Sequence, residues 1–219
     1  MNATSTSTHY PKAVLFDLLT ALLDSWTLWN ASAGSSEKGR AWRAEYLKRT
    51  YACGSYVEYE SLVRQAARNV GLPHDAPDAL ERNWRELKPW SGVKEALERL
   101  QPHCKLAVVT NCSVRLGREA ASVVPVHWDL IVTAEEAGFY KPNARPYLLA
   151  LEKLGVEAKD AAFVAGSSYD MLGTAPIGLR TYWHNRIGLA PVEGSQAPEF
   201  ESPTLDALPA WASRFGTTS

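Results

Sequence analysis

The stretch AVLFDLL, residues 13–19, is apolar at consecutive positions rather than at alternating ones. Strands with one face in solvent alternate apolar and polar residues, whereas parallel strands covered on both faces are apolar throughout. The same pattern recurs in KLAVVTN (105–111), DLIVT (129–133), AAFVAGS (161–167) and LRTYWHN (179–185). The sequence therefore predicts a buried parallel sheet whose first strand starts near residue 13.

Helical segments lie between these predicted strands. They are GVKEALERL (92–100), VRLGREAASVV (114–124), ARPYLLALEKLG (144–155) and the stretch after Tyr169. Regular alternation of strand and helix from Gly92 onward is typical of a doubly wound α/β sheet. We therefore expect residues 11–24 and 91–219 to form an α/β core domain.

The connection after the first strand is much longer than the later ones. Residues 25–90 contain no strand-like run, and their helical stretches are SSEKGRAWRAEYLKRTY (35–51), VEYESLVRQAARNVG (57–71) and APDALERNWREL (76–87). Because a structureless loop of this length is improbable in a compact domain, we expect residues 25–90 to form a helical cap domain. Residues 1–10 are rich in Ser and Thr and are expected to form a disordered tail.

The composition limits the classes of partner. The 219 residues include 23 Lys and Arg against 24 Asp and Glu, which argues against nucleic acid or an anionic membrane as a partner. With no long apolar run and no apolar signal core at the start, we expect a cytoplasmic protein that binds a small molecule. Cys53, Cys104 and Cys112 lack metal-ligand spacing, and we expect them to be reduced and structural.

Polar residues follow the predicted strands at their carboxyl ends, where ligands bind in sheets of this type. Asp17 lies within the first strand, where a buried carboxylate needs a specific partner or a chemical role. The other candidates are Thr110 and Asn111 after the second strand, Lys141 after the third, and Ser167, Ser168 and Asp170 after the fourth. Taken singly, each has an ordinary alternative, a helix N-cap for the short polar residues and a solvated surface position for the lysine.

The order and spacing of these residues resemble the four motifs of the haloacid dehalogenase superfamily over about residues 12–190. In that superfamily the aspartate of the first strand is the nucleophile, and the resemblance implies this role for Asp17. Its members divide mainly into magnesium-dependent phosphatases and metal-free 2-haloacid dehalogenases. The resembling dehalogenases are commonly dimers, so the resemblance allows a homodimer.

Two positions depart from the phosphatase pattern. Phosphatases of the superfamily carry a second aspartate two residues after the nucleophile and a metal-binding acid early in the fourth motif, where this chain has Leu19 and Gly166. Mg²⁺ prefers carboxylate ligands, and phosphoryl transfer depends on the cation. Asp17 and Asp170 alone make a poor magnesium site, so we expect neither a metal nor another cofactor.

The resemblance to L-2-haloacid dehalogenases assigns the catalytic roles. The sequence GSSYD is close to their S-S-N-x-x-D motif. By this resemblance Asp17 attacks C2 of a small 2-substituted carboxylic acid, and water then cleaves the alkyl-ester intermediate. Lys141 would orient Asp17, while Asp170 and Ser167 would position the hydrolytic water.

The same resemblance implies a set of substrate-binding residues. The backbone N–H groups of Leu18 and Leu19, with Thr110, would hold the substrate carboxylate. Tyr147 follows Lys141 at the spacing of the family. Arg43, in AWRAEYL of the predicted cap, would cradle the leaving anion with Asn111 and Tyr169. The ordinary alternative for Arg43 is an exposed helix arginine paired with a nearby glutamate.

Two departures from the dehalogenase pattern leave the substrate open. Thr20 and Ala21 stand where the dehalogenases usually have Gly-Thr, and Ser167 stands where they usually have Asn. L-azetidine-2-carboxylate hydrolase, a ring-opening enzyme of the same family, uses the same kind of aspartate and is the first alternative, although Arg43 would repel its ammonium group. The others are a magnesium-dependent small-molecule phosphatase and a catalytically silent binding protein.

Overall fold

The computed structural model describes residues 9–216 and contains one six-stranded sheet. Its strands are β1 (Ala13–Phe16), β2 (Lys105–Thr110), β3 (Leu130–Thr133), β4 (Ala161–Ala165), β5 (Arg180–His184) and β6 (Phe200–Ser202). Their order across the sheet is β3-β2-β1-β4-β5-β6, and every neighbouring pair is parallel. The doubly wound α/β prediction is confirmed, and the strand order reverses at β1, where such folds open a ligand crevice.

The described residues also form ten α-helices. They are α1 (Ser25–Ala33), α2 (Ser36–Ala52), α3 (Tyr59–Asn69), α4 (Ala76–Arg82), α5 (Val93–Leu100), α6 (Val114–Ser122), α7 (Ala134–Ala137), α8 (Ala144–Leu154), α9 (Tyr169–Thr174) and α10 (Leu208–Ala212). The helical insert, residues 25–90, carries α1 to α4 and a short 3₁₀ turn, Trp84–Glu86. Its division from the core as a separate domain stays a prediction.

Buried side chains cover both faces of the sheet. Successive residues of a strand point to opposite faces, and β1 accordingly sends Val14 and Phe16 into one apolar cluster and Ala13 and Leu15 into another. The first cluster is continuous with the interior of the helical insert. The central strands are therefore apolar at consecutive positions because both faces of the sheet are buried.

Close helix contact and indole hydrogen bonds fix the insert. A Cβ on Gly39 of α2 would lie 2.7 Å from the Cα of Asn30 on α1, so only glycine permits this approach. The Trp42 indole donates to Val63 O at 2.9 Å inside the insert. The Trp84 indole donates to Leu116 O at 2.9 Å and ties the insert to α6 of the core.

Several sequence expectations differ from the structure. The first strand, predicted over 13–19, ends at Phe16, because the next residues turn around a carboxylate described below. Strand β6 was not predicted, since Phe200 and Glu201 are exposed and form no apolar run. Of the predicted tail, residues 1–8 lie outside the described range. His9 N donates to Ser213 O at 2.9 Å, and Tyr10 stacks on the ring of His103, so both residues are attached to the folded part of the chain.

Two predictions from composition can be compared with the described residues. Cys53, Cys104 and Cys112 are free thiols rather than disulfide partners. Within residues 9–216, no helix combines the length and the apolar character needed to cross a membrane.

Candidate active site

Asp17 follows β1 directly and is almost fully buried, at 7% exposure. Its Oδ2 accepts three hydrogen bonds, from Thr20 N at 3.0 Å, Thr20 Oγ1 at 2.6 Å and Ala21 N at 3.1 Å. Its Oδ1 accepts one, from Lys141 Nζ at 2.8 Å. The backbone must turn to bring these donors to Oδ2, which explains why the strand stops at Phe16.

Lys141 bridges two buried carboxylates. Its Nζ lies 2.8 Å from Asp17 Oδ1 and 2.9 Å from Asp170 Oδ1, and the lysine is only 4% exposed. The Tyr147 hydroxyl also donates to Asp170 Oδ1, at 2.9 Å. The side chain of Asn111 clamps the backbone of Lys141, accepting from its N–H at 2.7 Å and donating to its carbonyl oxygen at 3.0 Å. Four segments that are distant in sequence thus meet in one charged cluster.

The pKa values of the two carboxyl groups in this cluster are shifted in opposite directions. Burial alone would raise the pKa of Asp17, but the Lys141 ammonium and the hydrogen bonds from Lys141 and Thr20 hold that pKa below its ordinary value. Burial is the main cause that raises the pKa of Asp170, and repulsion from Asp17 adds to it, against the pull of Lys141. Burial acts to lower the pKa of Lys141, but the two carboxylates keep it above its ordinary value. Asp17 therefore keeps its negative charge more readily, and Asp170 takes up a proton more readily.

Arg43 reaches the same region from α2 of the insert. Its side chain is buried, its Nη1 donates to Ser25 Oγ at 2.8 Å, and Ser25 Oγ in turn donates to Leu19 O. The guanidinium carbon lies 4.3 Å from the ring centroid of Trp26 and 5.6 Å from that of Trp29. The alternative of an exposed arginine paired with a glutamate is therefore wrong, because the insert buries Arg43 against aromatic rings.

A cavity of about 220 Å³ opens between the core and the insert. The predicted site residues that line it are Asp17, Leu19, Arg43, Thr110, Asn111, Lys141, Ser167, Tyr169 and Asp170. Two predicted residues do not line the cavity. Leu18 is fully buried in the apolar core, and Tyr147 lies behind Asp170, which it contacts.

Other residues line the cavity without having been predicted from the sequence. From the insert they are Tyr46, Leu47 and Tyr51, and from the loop after β5 they are Leu189, Ala190 and Val192. Trp26, a tryptophan of the predicted cap, lines the cavity as well. Tyr46 and Leu47 follow Arg43 by three and four residues on one helix and so share its face. That spacing could have revealed them, whereas the irregular loop after β5 carries no comparable signal.

A model of the family described as "Haloacid dehalogenase-like hydrolase" matches residues 14–184. The chain belongs to this family.

Relatives of this haloacid dehalogenase-like hydrolase span almost its full length. Haloacetate dehalogenase H-2 of Moraxella sp. (strain B) is 27% identical over 214 residues, covering 90% of this chain and 96% of the relative. An (S)-2-haloacid dehalogenase of Pseudomonas sp. (strain YL) is 28% identical over 216 residues, covering 91% and 93%. The structure of L-2-haloacid dehalogenase from Xanthobacter autotrophicus with chloropropionic acid covalently bound matches with a TM-score of 0.82 and 21% identity, over 95% of this chain and 100% of that chain. The structural likeness, at this identity, supports the fold.

The first motif of this haloacid dehalogenase-like hydrolase packs tightly on the fourth. A Cβ added to Gly166 would lie 2.1 Å from Thr20 Oγ1 and 2.4 Å from Ala21 N, well inside van der Waals contact. Among residues 9–216, no group of three or more His, Cys, Asp or Glu side chains is arranged to hold a metal ion. Where a phosphatase of the superfamily would carry a metal-binding acid, this chain thus has no room for any side chain.

Proposed function

We propose that this hydrolase removes the halogen at C2 of a 2-haloalkanoic acid, with Asp17 as the nucleophile. The observation that carries the proposal is the buried cluster of Asp17, Lys141 and Asp170, which lines one cavity together with Arg43. The names of the relatives, which are haloacetate and 2-haloacid dehalogenases, support it.

In the first step, Oδ1 of Asp17 attacks C2 and forms the ester bond. Oδ2 already accepts three hydrogen bonds, which leaves Oδ1 as the oxygen with a lone pair free to react. The C2–halogen bond breaks, and the halide leaves with its electron pair, so the leaving group needs no proton. Leu19, which can donate no proton, is compatible with this step.

In the second step, water attacks the carbonyl carbon of the Asp17 ester. Asp170 is the base that fits, because its raised pKa favours proton uptake and, within the described residues, its side-chain hydrogen bonds fall on Oδ1 and leave Oδ2 for the water. Negative charge develops on Oδ2 of Asp17, where the N–H groups of Thr20 and Ala21 and the Thr20 hydroxyl already converge as an oxyanion hole. The C2 alkoxide then leaves with the proton held by Asp170, giving the 2-hydroxy acid.

Arg43 is the group best placed to receive the leaving halide. Its guanidinium is a permanent cation, it is held by Ser25 and the face of Trp26, and it lines the cavity that contains Asp17. Attraction between a guanidinium and an anion is strong in a buried site of low dielectric. Arg43 therefore favours a leaving group that becomes negative over one that departs as an amine.

A magnesium-dependent phosphatase does not fit these residues. The ammonium of Lys141 already lies between Asp17 and Asp170, in contact with both carboxylates. An acid in place of Gly166 would collide with the turn at Thr20. The donor set lacks the third carboxylate, and no step of the proposed reaction requires a metal.

Isotope labelling tests the proposal. The enzyme is incubated with L-2-chloropropionate in H₂¹⁸O through many turnovers, and halide release is measured. The mass of the peptide that contains Asp17 is then determined by mass spectrometry. We expect chloride release that resists a chelator and ¹⁸O in the Asp17 carboxylate, since water attacks the ester carbonyl. An unlabelled Asp17 would mean that water attacks C2 directly.

The same assay separates the ring-opening alternative. L-azetidine-2-carboxylate is offered beside L-2-chloropropionate under identical conditions, and amine and halide products are measured. Turnover of the azetidine compound alone would assign the enzyme to ring opening. The cytoplasmic location and the homodimer stay predictions, and size-exclusion chromatography with light scattering checks the second.

A further inference from the structure

Four aliphatic residues that line the cavity take no part in the proposed chemistry. They are Leu47 of α2 and Leu189, Ala190 and Val192 of the loop 185–199, which connects β5 to β6, and they are called the apolar wall. The charged side chains that line the cavity are Asp17, Arg43, Lys141 and Asp170, and each already has a role. The apolar wall is therefore free to contact another part of the substrate.

The loop that forms this wall is held in a defined position. The Asn185 side chain accepts from Leu189 N at 2.7 Å and donates to Leu189 O at 3.0 Å. Farther along, Val192 N donates to Ser168 Oγ at 2.9 Å, which joins the loop to the residue beside Ser167. The backbones of Leu189 and Val192 are thus both held by hydrogen bonds to side chains.

The cavity volume exceeds the needs of a very small acid. A cavity of about 150 Å³ lined by apolar residues accepts benzene, which has six non-hydrogen atoms. L-2-chloropropionate also has six, while this cavity measures about 220 Å³. Several further carbon atoms can be accommodated beside the apolar wall.

We propose that the loop 185–199 forms a subsite for an apolar substituent on C2, so that the substrates are 2-halo acids with an alkyl or aryl group larger than methyl. This inference rests on the proposed dehalogenase function. Leu189 and Val192 contact the substituent, while the carboxylate and halogen stay beside the polar residues. The substituent excludes water from the reacting carbon as it fills the subsite.

A chain-length series tests the subsite. Values of kcat/KM are measured for L-2-chloropropionate, L-2-chlorobutanoate, L-2-chlorohexanoate and L-2-chloro-3-phenylpropionate. Burial of each added methylene should raise kcat/KM by about fourfold until the cavity is full. A steady fall with length would overturn the subsite and leave the proposed function standing, whereas no halide release from any of the four would overturn both.

Two variants assign the effect to the loop. Leu189→Ala is expected to lower the ratio of kcat/KM for chlorohexanoate to that for chloropropionate by about tenfold. Ile187→Ala is the matched control, because Ile187 is in the same loop but 45% exposed and outside the cavity lining. An unchanged ratio in the Leu189 variant would show that the longer chains bind elsewhere.

A second, independent observation concerns the turn after the nucleophile. Thr20 Oγ1 donates to Asp17 Oδ2 at 2.6 Å, the shortest of the three hydrogen bonds to that oxygen. Only a residue without a Cβ fits opposite, since a Cβ at Gly166 would lie 2.1 Å from the same hydroxyl oxygen. The dehalogenases that the chain resembles usually have Gly-Thr where this chain has Thr20 and Ala21.

We infer that Thr20 is a positioning residue for Asp17, and that Gly166 makes the space for it. The hydroxyl fixes the rotation of the carboxylate so that Oδ1 faces the cavity, and it joins the oxyanion hole in ester hydrolysis. The charged groups that face Asp17 from the surrounding elements are Lys141, Asp170 from α9 and Arg43 from α2.

An isosteric pair of variants tests this role. Thr20→Val removes the hydroxyl at nearly constant shape, and Thr20→Ser keeps the hydroxyl. We expect kcat to fall about tenfold in the valine variant, with the acid limb of the kcat/KM profile moved to higher pH, and rescue in the serine variant. Equal losses in both variants would show that Thr20 serves packing alone.

A titration makes this second inference independent of the substrate. The ¹³C-labelled Asp17 carboxyl is followed by NMR against pH in the substrate-free protein. Its pKa should rise in Thr20→Val and stay near the wild-type value in Thr20→Ser. The same pKa in all three proteins would contradict the inference even if the proposed function holds.

Discussion

The two sides of the cavity are built on different principles. On the core side, Asp17, Lys141 and Asp170 are charged, buried and joined by short hydrogen bonds. On the insert side, the wall is largely aromatic, and its cation, Arg43, is held by one serine and the faces of two indole rings. The core side fixes where a bond can form, and the insert side offers contact area and one positive charge.

This difference predicts unequal responses to substitution. A buried charge that loses its partner costs several kcal/mol, because the remaining charge is left unpaired in a medium of low dielectric. An aromatic or cation–π contact contributes about 0.5–2 kcal/mol. We therefore expect variants of the core side to affect both catalysis and stability strongly, and variants of the insert side to act mainly on rate.

Asp17→Asn should have the largest effect on activity. The amide keeps the shape of the carboxylate but cannot act as a nucleophile, so kcat should fall by at least about 10³-fold. Steady-state halide release measures the loss, and circular dichroism checks that the fold is retained. Activity within tenfold of the wild type would contradict the assigned nucleophile.

Lys141→Met should have the largest effect on stability. Without the ammonium, Asp17 and Asp170 face each other unpaired, and the free energy of unfolding should fall by about 3–5 kcal/mol. The pKa values of both carboxyls in the folded variant then exceed those in the unfolded chain, so the deficit is small below pH 4 and grows as the pH rises. Urea unfolding at pH 5 and pH 8 measures this trend.

Lys159 supplies the control for that experiment. It also pairs with a carboxylate, Glu157, but both side chains are more than 70% exposed. Lys159→Met should leave the free energy of unfolding unchanged within experimental error at either pH, because solvent screens an exposed ion pair. A similar loss in both lysine variants would mean that burial does not increase the contribution of the Lys141 ion pairs to the free energy of unfolding.

The central sheet could be predicted because its strands are buried on both faces. Consecutive apolar residues in β1, β2 and β4 are typical of strands covered on both faces. Strand β6 could not be predicted, since Phe200 and Glu201 are exposed, Ser202 is half-buried, and the strand pairs with β5 at the edge of the sheet. The end of β1 was also misplaced, because Leu18 and Leu19 are buried and apolar like the strand but lie in the turn that wraps Asp17.

The site was predictable where it depends on strand ends and not where it depends on packing between distant segments. Asp17, Lys141 and Asp170 stand at positions that the topology brings together. Ser25 contacts Arg43, and Val192 contacts Ser168, although these partners are distant in sequence. Local sequence periodicity cannot predict such contacts. Arg43 lies between these cases, since its position in the sequence suggested a role but its burial required the structure.

Arg43→Met tests the insert side directly. Removal of the guanidinium should lower kcat by about 10- to 100-fold, with a larger loss for 2-chloropropionate than for 2-bromopropionate, because the poorer leaving group depends more on charge stabilisation. Arg40→Met, an exposed arginine on the same helix, is the control and should retain full activity. Equal losses with both halides would show that Arg43 does not interact with the leaving group.

Ser25→Ala should produce the smallest effect, because it removes a support of Arg43 rather than a reacting group. The serine hydroxyl links Arg43 Nη1 to the carbonyl of Leu19. Loss of a hydrogen bond to a charged group costs about 1.5 kcal/mol at the low end, which corresponds to roughly tenfold in kcat. If the serine acts only through the guanidinium, Ser25→Ala should cause no further loss in the Arg43→Met background. Additive losses in the double variant would instead show that Ser25 has a separate role, which is to hold the turn at Leu19. In that case the insert also stabilises the geometry of the core side.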